Sequence, residues 1–208
     1  MKMNVVIEPI RMDDINDAVR LHMRAFPDSR STKLGKVYVK KMFCWFLEYQ
    51  ADLSLVARKD GEVIGYVIGA VGGYGRKLFR YAFSEVVLGL LSHPGLWFQS
   101  ETFLLWQSYL KGLLPEKTTA SANEINPHQA KKAALAGIAV DPDQRGQKIG
   151  AALVNAFEKT AVDLGVDKLT LSVRSDNISA RRLYDRCGWT MDSENQAANT
   201  VHYMKVIS

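Results

Sequence analysis

A mixed α/β fold in a single domain follows from three features of the 208-residue chain. Apolar runs alternate at strand period, amphipathic stretches at helical period lie between them, and turn signals mark the joins. A hydrophobic content of 47% is ample for a core, and the length fits one domain with a substantial insertion.

The opening NVVIEPI reads as a strand. Asp13 or Asp14 can cap the helix that follows, in which Ile15, Ala18, Val19, Leu21, His22 and Ala25 mark an apolar face and Phe26-Pro27 makes the stop. A polar loop leads to a second helix from Val37 to about Tyr49. The stretch DLSLVARKDGEVIGYVIGAVGG then holds two β-rich runs around Lys59-Asp60-Gly61, a hairpin signal.

Residues from about 75 to 115 differ from their surroundings. They are rich in Leu, Phe, Tyr and Trp at helical spacing, are broken at His93-Pro94-Gly95, and read as an inserted helical hairpin. Phe79, Tyr81, Phe83, Trp97, Phe98, Phe103, Trp106 and Tyr109 fall on more than one face, whereas a surface helix shows one stripe. A packed helical pair, a lid, a homodimer contact and a membrane-surface patch with Arg76, Lys77 and Arg80 all fit that pattern. KTTASANEINPHQAKK reads as an exposed loop.

AALAGIAV, ending at Asp141-Pro142, is a short apolar run of the kind found in buried central strands. A helix from about 147 to 163 stops at Gly165, and KLTLSVRS alternates as a strand. Asp176 or Asn177 can cap a short helix through Cys187, ended by Gly188, and Trp189 to Met191 with VHYMKVI form a last hairpin.

A net charge of +5 favours anionic ligands, yet Lys and Arg are spread through the chain rather than blocked, a balance that suits a phosphorylated cofactor as well as nucleic acid; the partner expected is the cofactor, with no nucleic acid. Two distant cysteines and four scattered histidines give neither a disulfide framework nor a metal site. Without a long uncharged apolar run or a signal-like N-terminus, the expected location is the cytoplasm, with no stable membrane insertion.

DPDQRGQKIGAALVNAFEK, residues 141 to 159, places a Pro turn, a basic glycine-bearing loop and a helix start in succession. Unsatisfied backbone N–H groups and the positive end of the helix dipole meet there, and both favour an anion. Gly146 and Gly150 would let the backbone approach it closely. The Gly-Lys-Ser/Thr of a Walker loop and the three glycines of the dinucleotide fingerprint are both missing.

The pair LAGIAVDPDQRGQKIGAAL and LTLSVRSDNISARRLYDRCGW resembles the GNAT superfamily of acetyl-CoA dependent N-acetyltransferases. Arg145, Lys148 and Gly150 fall on that family's Arg/Gln-x-x-Gly-x-Gly/Ala loop, with Lys148 in place of the middle glycine, a departure that suits a residue with φ below zero. Asn177, Ala180, Leu183-Tyr184 and Gly188-Trp189 match Asn-x-x-Ala-x-x-Leu-Tyr-x-x-x-Gly-Phe, with Trp for Phe.

The resemblance implies a GNAT-type mixed, mostly antiparallel sheet of about seven strands, helices on both faces, and a splay between the strands at about 133–140 and 168–174. It implies acetyl-CoA as cosubstrate and no metal. Backbone groups of Ile138, Ala139 and Val140 would hold the pantetheine, and those of Arg145, Gly146, Gln147, Lys148, Ile149, Gly150 and Ala151 the pyrophosphate. Asn177 would cap its helix and touch the pantetheine. The N–H of Val140, or of Ile138, would be the oxyanion donor and Tyr184 the general acid and a cofactor contact.

No glutamate stands on AALAGIAV to serve as base, which leaves Glu124, His128 and Ser172 as candidates. A lysine amine of pKa about 10.4 is neutral in about one molecule in 2,500 at pH 7, an uphill step of roughly 4.6 kcal/mol, against about 1 kcal/mol for an α-amine. A weakly basic amine is therefore the expected acceptor, a small molecule such as an amino sugar or nucleotide-linked sugar. A protein or peptide N-acetyltransferase and a non-catalytic acyl-CoA-binding regulator are the alternatives.

Overall fold

The hairpin turn at Lys59-Asp60-Gly61 forms as read, with Asp60 and Gly61 both at positive φ (50° and 86°), the twist that joins antiparallel strands tightly. It links β2 (Ser54–Lys59) to β3 (Glu62–Val71). The computed structural model describes residues 5–92 and 131–207. Around that hairpin, β1 (Val5–Pro9), β4 (Lys132–Val140), β5 (Lys168–Arg174), β6 (Thr190–Asn195) and β7 (Thr200–Val206) complete a sheet of order β1-β2-β3-β4-β5-β7-β6. Every neighbouring pair is antiparallel except β4 with β5.

The parallel pair sets up everything that follows. β4 and β5 are in register only from Lys132 opposite Lys168 to Leu135 opposite Leu171. On its other side β4 pairs with β3 to its end, but the register slips by one residue between Ile68 opposite Gly137 and Gly69 opposite Leu135, which leaves Ala136 as a β-bulge. A bulge bends its strand and raises the local twist. The bend falls where β4 leaves β5, so residues 136–140 and 172–174 flank an opening in the sheet.

Two apolar cores lie on opposite faces. On one, Val56, Tyr66, Ile68, Ala70 and Ala139 meet α1 (Ile15–Ala25) and α3 (Lys36–Tyr49). On the other, Leu135, Leu169, Leu171, Val173, Val201 and Tyr203 meet α6 (Ile149–Asp163) and α7 (Ile178–Arg186). Between α1 and α3 the polar stretch read as loop carries one short helix, α2 (Arg30–Lys33), capped by Ser29 Oγ on the Thr32 N–H at 3.2 Å.

Two local expectations are corrected. Asp14 stands at the start of α1 but its carboxylate does not cap it: a 3-10 turn, Met12–Asp14, comes first, and the buried carboxylate takes the Arg11 N–H at 2.9 Å and Arg58 Nη2 at 2.6 Å. The pull of the Arg58 guanidinium on the buried carboxylate outweighs the cap. The first limb of the inserted hairpin is two helices, α4 (Gly75–Tyr81) and α5 (Phe83–Ser92). The chain turns at Ala82 so that α5 can lie with Gly89 against the Leu34 carbonyl, where a Cβ would come within 2.5 Å. The expected second limb, Glu124 and His128 lie outside the described residues. No helix among the described residues is long and apolar enough to cross a membrane.

Candidate active site

Strand geometry decides which groups of β4 face the opening. The Asp141 N–H donates to the Ile64 carbonyl on the β3 side at 2.8 Å. Main-chain groups point alternately to the two edges of a strand, so Ala139 also faces β3 while Ile138 and Val140 face the edge that β5 has left. Ala139 is therefore the exception in the expected pantetheine set, its hydrogen-bonding capacity being directed to its β3 partner Tyr66.

Beyond β4, Asp141 caps a 3-10 turn, Pro142–Gln144, with its carboxylate on the Asp143 N–H at 3.0 Å. Arg24 at the end of α1 ties the turn down, its two Nη atoms 3.0 Å from Asp141 and Asp143. Gly146 then adopts φ +80° with nothing near the place a Cβ would take. Among the described residues no backbone N–H from 146 to 151 has an acceptor, and Lys148 leaves the N-terminus of α6 without a side-chain cap. Six adjacent donors at the positive end of a 15-residue helix fit a pyrophosphate.

One residue of this loop departs from expectation, and two others gain a packing role. Lys148 has φ +61°, not a negative value, because the chain must reverse between Gly146 and the helix; the position keeps the left-handed conformation that suits glycine. At Gly150 a Cβ would point at Leu183 of α7, 3.2 Å away, so its small size also serves the packing of α6 against α7. The Gln147 side chain turns inward, donating to Gln144 Oε1 at 3.1 Å and leaving its own Oε1 buried without a partner, so only its main-chain N–H points to a ligand role. Ile149 is buried in the core, and Arg145 and Lys148 are exposed.

A cavity of about 740 Å³ occupies the opening. Residues 134–138 of β4, Ser172, Val173 and Arg174 of β5, and Asn177, Ala180 and Tyr184 line one part, while His22, Ser31, Tyr66, Tyr74, Leu78 and Phe79 line another. Its walls come from both faces of the sheet, so it passes through the sheet. Of the sequence-derived candidates it brings together Ile138, Asn177, Tyr184 and Ser172. Val140 and the loop from 145 lie farther along the same edge.

Tyr184 is 4% exposed, packed between Trp189 (ring centroids 6.0 Å apart) and Tyr203 (5.9 Å). Burial pushes its phenol well above the ordinary value, so it holds its proton through the neutral range. Trp189 is anchored in turn: its indole N–H donates to Glu158 Oε1 of α6 at 2.7 Å, and Lys205 Nζ holds Glu158 Oε2 at 2.6 Å and the Cys187 carbonyl at 2.7 Å. Asn177 caps α7, accepting the Ala180 N–H at 3.1 Å.

Sequence reasoning placed His22 only on an apolar helix face. It is 7% exposed, with Nδ1 2.6 Å from Tyr66 Oη and Nε2 2.8 Å from Ser31 Oγ, and burial lowers its pKa to about 4. A neutral imidazole locked between two hydroxyls stiffens this wall. A histidine inside an otherwise apolar stripe was the available signal. Among the described residues no group of His, Cys, Asp and Glu could hold a metal ion.

The chain matches no curated protein by sequence. Several solved structures share its fold. They include PH1933 from Pyrococcus horikoshii OT3 (14% identity, 98% of each chain covered, TM-score 0.63). The PaiA N-acetyltransferase from Thermoplasma acidophilum in complex with coenzyme A is another (13% identity, covering 98% of this chain and 99% of that one, TM-score 0.60). So is the ribosomal-protein-S18-alanine N-acetyltransferase from Escherichia coli (17% identity, 99% and 95% covered, TM-score 0.57). At these identities the likeness is one of fold. The model of the Acetyltransferase (GNAT) family matches residues 15–189, and the chain belongs to that family.

Proposed function

We propose that this protein is an N-acetyltransferase that moves the acetyl group of acetyl-CoA to a primary amine by direct attack, the amine being carried by a small molecule such as an amino sugar or nucleotide-linked sugar. The observation that carries the proposal is the cavity that runs through the sheet at the β4–β5 opening. With lining residues from both faces of the sheet, it would give a thioester and an amine separate approaches to one point.

Acetyl-CoA supplies an activated acyl group on a thiolate leaving group. The unpaired N–H groups of residues 146–151 would hold its pyrophosphate, and the free edge of β4 at Ile138 and Val140 would pair with the pantetheine as an added strand does. The N–H of Val140, or of Ile138 within the cavity wall, would donate to the oxygen that gains charge. Tyr184, protonated and open to the cavity, would donate to the departing sulfur.

The small-molecule reading is supported by Tyr74, Leu78 and Phe79 at the start of the insertion, which wall the acceptor side of the cavity. The test is a panel of amines (an amino sugar, a nucleotide-linked amino sugar, an aryl ethylamine, spermidine and short peptides), each assayed for coenzyme A release and for the acetylated product by mass spectrometry. An acetylated small amine is the expected outcome. Preference for a peptide α-amine would move the function to protein acetylation, and tight acetyl-CoA binding with no product from any amine would leave a regulator.

A further inference from the structure

An amine that attacks a thioester must lose a proton, and β4 carries no carboxylate to take it. Two histidine–serine pairs stand beside the cavity. The first, His22 with Ser31, lines the cavity but is engaged: both ring nitrogens have hydroxyl partners and the ring lies among Phe26, Phe43 and Tyr66. A proton delivered there would be a charge in an apolar core.

The second pair is on β5 and β7. Ser172 and His202 are directly opposite each other in the antiparallel register, with Ser172 Oγ 2.8 Å from His202 Nδ1. Ser172 is the first residue of β5 after its last pairing with β4 and lines the cavity at the edge of the opening. Its neighbours Leu171 and Val173 belong to the core on the α6 and α7 face, as do Val201 and Tyr203 beside His202. Strand alternation therefore puts Ser172 and His202 on the other face, the side of α1 and α3. His202 is half-buried, with access to solvent.

Tyr184 belongs to the α6 and α7 face. A proton donor and a proton acceptor thus flank the opening from opposite faces of the sheet, an arrangement that lets the attacking amine and the departing thiolate each meet its own partner.

We propose that Ser172 and His202 act together as the base of the reaction, Ser172 touching the amine and His202 positioned behind it to receive the proton. As the N–C bond forms, the amine N–H proton passes to Ser172 Oγ and the Ser172 hydroxyl proton passes to His202 Nδ1, with His202 in the Nε2–H tautomer. The C–S bond breaks with its electron pair on sulfur, which takes the Tyr184 proton. Imidazolium and tyrosinate then re-equilibrate through solvent, leaving an amide and a thiol.

The inference rests on the acetyltransferase reading, and its test starts from the best acceptor in the amine panel. If the wild-type protein acetylates no amine, both readings fall together before any variant is made. With an acceptor in hand, Ser172→Ala and His202→Gln are each expected to lower kcat by about 10²-fold with the KM for acetyl-CoA unchanged. The double variant is expected to be no slower than either single one, since the two act as a unit, and Ser172→Thr is expected to restore turnover. Kinetic effects that multiply in the double variant, or single variants within about threefold of wild-type kcat, would overturn the assignment. Both side chains lie outside the apolar cores, and each variant is to be checked for folding by circular dichroism before its kinetics are read.

Discussion

At the scale of single residues, Tyr184 and Lys148 show how one side chain can be judged by what surrounds it. With its phenol raised by burial, Tyr184 stays protonated across the neutral and mildly alkaline range, so it should impose no alkaline fall in kcat there. Tyr184→Phe is expected to lower kcat by about 10² to 10⁴-fold while acetyl-CoA affinity in calorimetry is unchanged. Equal turnover in the variant would make Tyr184 a packing residue. Lys148 holds a left-handed conformation that costs a residue with a Cβ about 1–2 kcal/mol, partly offset by the extra freedom of an unfolded glycine. Lys148→Gly should therefore raise the stability measured in urea by about 0.5–1 kcal/mol. The spacing of Asn177, Tyr184 and Gly188 is legible in sequence because capping, helix phase and helix stop are local. The φ of Lys148 is not, because the reversal into α6 sets it rather than the residue type.

Among the elements, the contact of α6 with α7 carries the most consequence. Gly150 lets the first turn of α6 lie against Leu183, one residue before Tyr184. Gly150→Val places extra carbon at a 3.2 Å contact, and overpacking of this kind costs about 1–3 kcal/mol. The expected result is a lower midpoint in urea together with weaker acetyl-CoA binding, because the same helix start carries the unpaired N–H groups. Unchanged stability would mean that Leu183 moves aside freely. The strands were legible except for the second half of β6, read only to Met191 and running to Asn195, since alternation, the Asp60-Gly61 turn and the apolar β4 run are properties of short segments. The bulge at Ala136, the break at Ala82 and the Ser172–His202 pairing were not, because each depends on register or packing between distant segments.

For the whole molecule, the site is an interruption in a sheet that is otherwise continuous, with an apolar core on each face. The buried His22 makes the α1 and α3 face sensitive to acid. Its folded-state pKa is about 4 against 6.5 for the free group, so between these values the unfolded chain takes up a proton that the folded chain refuses. Stability from this source is complete above pH 6.5 and falls as the pH is lowered toward about 4. At about 1.4 kcal/mol per unit, wild type should lose about 2 kcal/mol more than His22→Gln between pH 7 and 5 in urea unfolding, and equal slopes would mean that His22 titrates normally. The most direct test of the acetyl-CoA site is a crystal structure with acetyl-CoA bound. The pantetheine should run along the free edge of β4 at Ile138 and Val140, with the pyrophosphate on the N–H groups of residues 146–151 and the thioester sulfur on the Tyr184 side of the opening. A cofactor that leaves the β4–β5 opening empty, or a pyrophosphate away from the start of α6, would contradict it.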